Sequence, residues 1–170
     1  MKDLIDRGNY MPTPKQPYSA IDDSIGYLNG RLSRVIKRHF EQLLDETGAG
    51  VTPQMWLLLS TIAHKKITIP SNIADITGID RTATARCLTK MSKLNLVTRK
   101  QSVSDGRSSE VMLTKKGEKV LKIAANCSQQ TSDHFYSKIS NKERELLKKI
   151  FLKLLEGEQG SLKSFDDLVV

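Results

Sequence analysis

Apolar residues recur with helical spacing from residue 24 to about residue 45, which predicts an amphipathic helix that Gly48 ends. Thr52 and Pro53 are the N-cap and first-turn proline expected of a second helix. That helix is apolar nearly all round, so we expect it to be buried between other elements. The apolar positions of the first helix are Ile25, Leu28, Leu32, Val35, Ile36, Phe40 and Leu43.

Two helical patterns joined by a short turn lie near the middle of the chain. Residues 70–77 predict a short helix that Gly78 ends, and Asp80 is placed to cap a second helix over residues 81–94. Ala74 precedes Gly78 by four residues, and a small residue there lets two helices approach closely. The apolar face of the second helix comprises Thr84, Cys87, Leu88, Met91 and Leu94.

β-like patterns flank these helices. Residues 96–100 and 110–113 predict the two strands of a hairpin, and the polar segment 102–108 predicts its long tip. Asn95 stands where a left-handed helix end is expected, and residues 67–69 predict a single brief strand. The order of elements predicts a winged helix-turn-helix within a mainly α fold that has a small β-hairpin wing.

Two further helices complete the pattern. Thr114 is placed to cap a long helix that extends to about Lys138, and Ser140 with Glu143 forms a capping-box sequence for the last helix. The last helix has an apolar stripe wider than packing on one small domain requires, so we expect another chain to cover it. Its residues are Leu146, Leu147, Ile150, Phe151, Leu154 and Leu155.

The chain therefore divides into five predicted segments. An arm rich in proline, residues 1–23, precedes a dimerisation helix over residues 24–50. Residues 51–117 form the winged helix-turn-helix lobe, residues 118–157 the C-terminal dimerisation helices, and residues 158–170 a tail. In this scheme the first helix and the C-terminal helices together supply a dimer interface.

Composition sharpens this picture through the distribution of charge. The 170 residues carry a net charge of +8, and 38% of them are hydrophobic, which is enough for a packed core. Residues 65–120 alone hold twelve Lys and Arg against five Asp and Glu, a net charge of +7. Such clustering is typical of phosphate binding, although a solvated basic face gives the same count.

Several classes of protein are excluded by what the sequence lacks. Two cysteines are too few for a disulfide scaffold, and no apolar run is long enough to span a bilayer or to serve as a secretory signal. A soluble cytoplasmic protein is therefore expected. There is no Gly-rich phosphate loop, Ser-His-Asp ordering, paired-carboxylate motif or metal cluster, so neither an enzyme nor a cofactor is predicted. His39, His64 and His134 occur singly, which favours surface or core histidines over metal ligands.

The segment 105–117 reads D-x-R-x-x-x-V-x-L-T-x-x-G and resembles the wing signature of MarR-type transcriptional regulators. Residues 73–82 and 96–99 are similar to that family's helix-turn-helix and wing entry, with Asn95 replacing the usual glycine and Thr84 the usual valine. The resemblance covers about residues 24–157. It implies an obligate homodimer that binds an operator, in most members as a repressor, and often a small-molecule or oxidation signal.

The predicted recognition helix carries polar residues on the face opposite Cys87 and Met91. Arginine can read guanine edges in a major groove, and alanine or threonine methyl groups can touch thymine. Arg86 is the first candidate for base readout, with contact to a phosphate as the alternative. This DNA-binding face comprises Arg81, Thr82, Ala85, Arg86, Thr89 and Lys90.

The wing supplies the remaining candidate DNA contacts. Arg107 at the tip is placed to enter a minor groove, and Asp105 is expected to brace the wing by pairing with Arg99 or Arg107. Exposed lysines are either phosphate contacts or solvated charges. They are Lys65, Lys66, Lys90, Lys93 and Lys100.

Signals that could switch the protein have weaker sequence support. A stripe on the first helix, with Trp56 on the next, could hold the carboxylate of a small organic acid or a phenolic effector, although a solvated basic stripe looks the same. The spacing of Cys87 indicates packing rather than redox sensing, and Cys127 lies in the long helix after the wing. The stripe comprises Tyr27, Arg31, Arg34 and Arg38.

The sequence thus predicts a homodimeric DNA-binding transcriptional regulator, a repressor on a pseudo-palindromic operator that a small effector releases. An activator or anti-silencer with the same fold is one alternative. A helical protein-interaction adaptor with a degenerate winged helix is the other, and the retained Arg81, Arg86 and Arg107 argue against it.

Overall fold

The computed structural model describes residue 21 and residues 24–66, 68–101 and 109–156. The tail at 158–170, the wing tip at 102–108 and the arm apart from Ile21 lie outside this part of the chain. The elements, in order, are α1 (Ile25–Glu46), α2 (Pro53–Lys65), α3 (Pro70–Thr77), α4 (Arg81–Lys93), β1 (Val97–Gln101), β2 (Ser109–Leu113), α5 (Lys115–Tyr136) and α6 (Asn141–Leu155).

The chain divides into two compact units, and the boundary between Val35 and Ile36 falls within α1. In the first unit, α1 has four large apolar side chains that are exposed within the single chain. The second unit holds all the later elements and the hydrophobic core. The exposed apolar residues of α1 are Ile25, Leu28, Leu32 and Val35.

The helix starts follow the predicted capping chemistry. The hydroxyl of Thr52 accepts a hydrogen bond from the N–H of Met55, and the carboxylate of Asp80 accepts one from the N–H of Ala83. The start of α6 has a capping box in which Ser140 and Glu143 each accept from the other's backbone N–H. The hydrogen bonds that Ser140 donates to its carboxylate lower the pKa of Glu143.

The core forms around α2, which contacts α3, α4, α5 and β2. Leu58 and Leu59 of α2 are fully buried, in agreement with the apolar pattern on nearly all sides of this helix. Side chains of the same core cluster from α3, α4, the turn after α4 and β2 are also fully buried. They include Ile73, Leu88, Met91, Leu96 and Val111.

The two strands form the predicted hairpin. β1 pairs with β2 in antiparallel register, with Val97 opposite Leu113. The predicted strand at 67–69 is wrong for the two of its residues that are described, because Thr68 and Ile69 are not in a strand. The carbonyl of Thr68 accepts one hydrogen bond from the N–H of Val111, at 2.8 Å, and α3 begins immediately afterwards. Ile67 lies outside the described residues.

The turns on either side of α4 adopt the backbone conformations that the sequence predicts. Gly78 has φ of +67° between α3 and α4, and Asn95 has φ of +56° after α4. The N–H of Leu96 donates to the carbonyl of Met91 at 2.9 Å, which closes the helix end and directs the chain into β1. These two turns set the direction of α4 relative to α3 and to the wing.

No residue of α6 is buried in the single chain. The apolar stripe of this helix is exposed, with Leu146 at 56% and Leu154 at 49% relative exposure. A continuous apolar face of this kind is unusual on the surface of an isolated domain. Within the described residues, no helix is long and apolar enough to cross a membrane.

Candidate nucleic-acid interface

The exposed face of α4 holds all six residues predicted for it. Arg81, Thr82, Ala85, Arg86, Thr89 and Lys90 are exposed. The opposite face is anchored by Thr84, Leu88 and Met91, each at most 1% exposed. One side of this helix is thus fixed in the core while the other presents two guanidinium groups, an ammonium group and small side chains to solvent. Their contacts with DNA remain a prediction.

Arg81 at the start of α4 has a carboxylate partner on α3. Its Nη2 donates to Oδ1 of Asp75 at 3.1 Å and to Oδ2 at 3.4 Å. The two residues are six positions apart and are brought together by the turn at Gly78. Asp75 was not among the residues that the sequence pattern indicated, because a partner across a tight turn has no periodic signal.

Arg99 of β1 connects the wing to the recognition helix. Its Nη2 donates to the hydroxyl of Thr89 at 3.2 Å, and that hydroxyl donates to the carbonyl of Ala85 at 2.9 Å. The structure therefore joins Arg99 and Thr89, two predicted DNA-binding residues from different elements. The other predicted wing residues, Asp105 and Arg107, lie outside the described residues, so the proposed brace remains a prediction.

The predicted lysines come from several elements. Lys66, Lys90, Lys93 and Lys100 are all exposed. The side chain of Lys65 is outside the described part of the chain. Lys66 follows α2 in a left-handed conformation with φ of +53°. Exposed ammonium groups on several elements are suited to contacts along a phosphate backbone, which need charge rather than fixed geometry.

Trp56 is half-buried and has an unsatisfied donor. Its ring meets that of Phe40 edge to face with centroids 5.2 Å apart. Its Nε1 is buried and has no hydrogen-bond partner among the described residues. Of the other predicted effector residues, Arg38 is exposed in the same unit. Tyr27, Arg31 and Arg34 belong to the first unit, where Tyr27 is half-buried and both arginines are exposed.

Burial affects both cysteine thiols. Burial raises the pKa of the Cys87 thiol, against the opposing effect of the Lys90 ammonium, and its Sγ lies 3.9 Å from Sδ of Met91. Burial also raises the pKa of the Cys127 thiol, whose Sγ donates to the carbonyl of Leu43 at 3.6 Å. This geometry fits the packing role that the spacing of Cys87 predicts.

We expect both thiols to react slowly with iodoacetamide at neutral pH, because a raised pKa leaves a smaller thiolate fraction and the thiolate is the nucleophile. Mass spectrometry of the folded chain across pH 7–10 should give alkylation profiles displaced to higher pH than those of the same chain unfolded in guanidinium. Folded and unfolded profiles that coincide would show that neither thiol is protected.

A pair of histidines joins α1 to α5 in a way that the sequence did not indicate. The rings of His39 and His134 stack with centroids 4.4 Å apart, and Nδ1 of His39 lies 3.3 Å from the hydroxyl of Thr131. Partial desolvation and, after it, the charge of Lys138 lower the pKa of His134. The 94 residues that separate them in the sequence carry no sign of this contact.

Comparison with known proteins supports the same architecture. Residues 51–109, which extend from the start of α2 into β2, match the model of the MarR family. None of the curated protein sequences matches the chain.

Solved structures extend this likeness to most of the chain. A probable transcriptional regulator from Pseudomonas aeruginosa is 21% identical, with 79% of this chain and 98% of that chain covered at a TM-score of 0.72. The PcaV transcriptional regulator from Streptomyces coelicolor, in complex with its natural ligand, is 16% identical over 81% and 96% at a TM-score of 0.73. The organohalide-sensing RdhR-CbdbA1625 transcriptional regulator in its 2,4-dichlorophenol-bound form is 13% identical, with 96% of both chains covered at a TM-score of 0.75. At these identities the likeness establishes the fold.

Proposed function

We propose that the chain is a winged-helix transcriptional regulator of the MarR family, whose model residues 51–109 match, and that it acts as a homodimeric repressor that reads a pseudo-palindromic operator. The observation that carries this proposal is the exposed face of α4 next to the wing. The helix presents Arg86 and its neighbours to solvent while Leu88 and Met91 hold the opposite side in the core.

The mechanism follows from the shape and charge of this face. An α-helix fits a B-DNA major groove, and the N-terminal half of a recognition helix lies deepest in it. Arg86, one and a half turns into α4, reaches base edges in this arrangement, and the methyl groups of Thr82 and Ala85 lie beside it. The surrounding lysines neutralise phosphates and supply the part of the affinity that does not depend on sequence.

Two copies of the recognition helix α4, one from each subunit, account for specificity. One helix contacts too few base pairs to select a site, and two helices related by a twofold axis read half-sites about one helical turn, roughly 34 Å, apart. The exposed stripes of α1 and α6 are the surfaces that we assign to dimerisation. Repression then follows by occlusion, because a dimer on an operator within a promoter competes with transcription machinery for the same DNA.

A small phenolic or aromatic acid is the effector that we assign to this protein. The similar PcaV regulator is in complex with its natural ligand, and the similar RdhR-CbdbA1625 regulator is in a 2,4-dichlorophenol-bound form. In this chain, the buried and unpartnered Nε1 of Trp56 is a donor that a phenol oxygen or a carboxylate would satisfy. An effector of this kind releases DNA by binding better to dimers whose reading helices are wrongly spaced.

The proposal predicts tight, salt-dependent and sequence-selective DNA binding. Fluorescence anisotropy with a duplex that the chain itself enriches from a random 30-base-pair library should show affinity falling steeply as NaCl rises. Arg86→Ala should weaken binding to that duplex by about tenfold to a hundredfold, corresponding to the roughly 1–3 kcal/mol of a base contact. Its effect on a scrambled duplex should be much smaller.

Lys153→Ala on α6 is the matched control, since it removes one cation far from the reading helix in sequence and should leave both affinities unchanged. Equal losses on the enriched and scrambled duplexes would make Arg86 a phosphate contact. Binding that is negligible at every salt concentration would refute the DNA-binding function. Failure of 2,4-dichlorophenol and of simple aromatic acids to release the bound duplex would remove the effector from the proposal.

A further inference from the structure

The ion pair between α3 and the start of α4 has no role in the reading mechanism described above. Arg81 is the first residue of α4, at the end of the helix expected to lie deepest in the groove. Its side chain is 72% exposed, and the side chain of Asp75 is 44% exposed. A pair this accessible to water adds little to the stability of the fold. The pair therefore matters more for the surface that α3 and α4 present to solvent than for stability.

The contact uses only one part of the guanidinium group. Both oxygens of Asp75 accept from Nη2, at 3.1 and 3.4 Å. Nη1 is not used by Asp75, so its N–H donors remain available to a second acceptor. Since guanidinium is planar and rigid, holding Nη2 in place also restricts where Nη1 can point.

The pair also explains why the carboxylate of Asp75 need not repel the phosphates of bound DNA. An unpaired Asp75 beside a reading helix would repel the DNA backbone. Paired with Arg81, the carboxylate has its charge offset and leaves the guanidinium with N–H donors for DNA. The short link from Gly78 to Asp80 keeps α3 and α4 close enough for this contact.

We infer that Asp75 is a positioning residue for DNA recognition: it holds the side chain of Arg81 so that the Nη1 donors are presented to the operator. This inference rests on the proposed function. Arginine has many rotamers, and ordering a long side chain at an interface is costly. Because Asp75 orders the Arg81 side chain before DNA binds, this cost is not incurred on binding. The gain in affinity is realised only on a DNA sequence that offers Arg81 a well-placed acceptor.

The test compares the ratio of affinities for the enriched and scrambled 30-base-pair duplexes. Asp75→Ala should lower this ratio by about threefold to tenfold. Affinity for the scrambled duplex should not fall, because a negative charge has been removed. Asp75→Glu, which keeps a carboxylate, should retain most of the ratio. In a chain that already carries Arg81→Ala, replacing Asp75 should change the ratio by less than about twofold.

Glu145→Gln on α6 is the control for loss of one anion, and it should leave the ratio unchanged. Equal gains in affinity on both duplexes after Asp75→Ala would make Asp75 a repelling charge and overturn the inference. A drop in the ratio of the same size with and without Arg81 would do so as well. A wild-type chain that enriches no duplex would refute the proposed function, and the inference would fall with it.

Discussion

Replacing Gly117 by alanine should destabilise the folded chain by about 3 kcal/mol or more, at the upper end of the cost of overpacking a tight contact. Gly117 is buried in the first turn of α5. A Cβ at this position would overlap the carbonyl oxygen of Leu96 and would lie 3.0 Å from its carbonyl carbon. Both are backbone atoms, so no side chain can move aside to make room.

The surroundings of Gly117 are tied to the same backbone. The N–H of Thr114 donates to the carbonyl of Leu96 at 3.0 Å, and its hydroxyl donates to the carbonyl of Asn95 at 2.7 Å. The ammonium of Lys116 donates to the carbonyl of Leu94 at 2.9 Å. To accommodate a methyl group, α5 would have to separate from the turn that connects α4 to the wing.

Thermal unfolding measures this effect directly, and a loss of about 3 kcal/mol corresponds to a decrease in Tm of roughly 6–12 °C for a chain of this size. Gly26→Ala is the matched control, because its added Cβ meets nothing closer than Oγ of Ser24 at 3.8 Å. An exposed helical glycine replaced by alanine should stabilise slightly. A Tm for Gly117→Ala at or above that of the wild type would contradict the close contact.

The parts of the fold that the sequence predicted well are those with local causes. The Thr52–Pro53 start of α2 and the caps at Asp80 and Thr114 each depend on groups within four residues. The left-handed Asn95 follows from the need to end α4 before the wing. The exposed and buried faces of α4 follow from helical periodicity alone, and they supply most of the candidate site.

What the sequence could not predict depends on tertiary contacts. The pattern of residues 67–69 fits a strand. Only the tertiary structure shows that Thr68 accepts a hydrogen bond from Val111 without lying in a strand. The pairing of Asp75 with Arg81 needs the angle of the turn between two helices. The stacking of His39 on His134 needs the packing of α1 on α5. None of these contacts produces a periodic pattern in the sequence.

The side-chain contacts distinguish charged residues that the charge count alone treats as equal. The net charge of +7 over residues 65–120 marks the segment that contains α3, α4 and the hairpin. Within it, Arg81 is held by a carboxylate and Arg99 by the hydroxyl of Thr89. Arg86 is exposed and lies on the same face. Equal formal charges on this surface thus have different degrees of freedom.

Ile150→Glu should convert the protein to monomers and reduce its affinity for the enriched duplex by at least about a hundredfold. Ile150 is 44% exposed in the single chain and lies between Leu146 and Leu154 on the apolar stripe of α6. If a second copy covers this stripe, the new carboxylate must be desolvated without a partner, which costs several kcal/mol. Separated chains bind half-sites one at a time and lose the gain from binding two together.

Lys149→Glu places the same carboxylate on the polar side of α6, so that variant should remain dimeric and bind the operator normally. Light scattering after size-exclusion chromatography gives the oligomeric state, anisotropy gives the affinity, and circular dichroism shows whether each variant is folded. A folded Ile150→Glu protein that is still dimeric would exclude the α6 stripe as the interface. A folded monomer with wild-type operator affinity would instead show that one reading helix suffices, against the twofold mechanism.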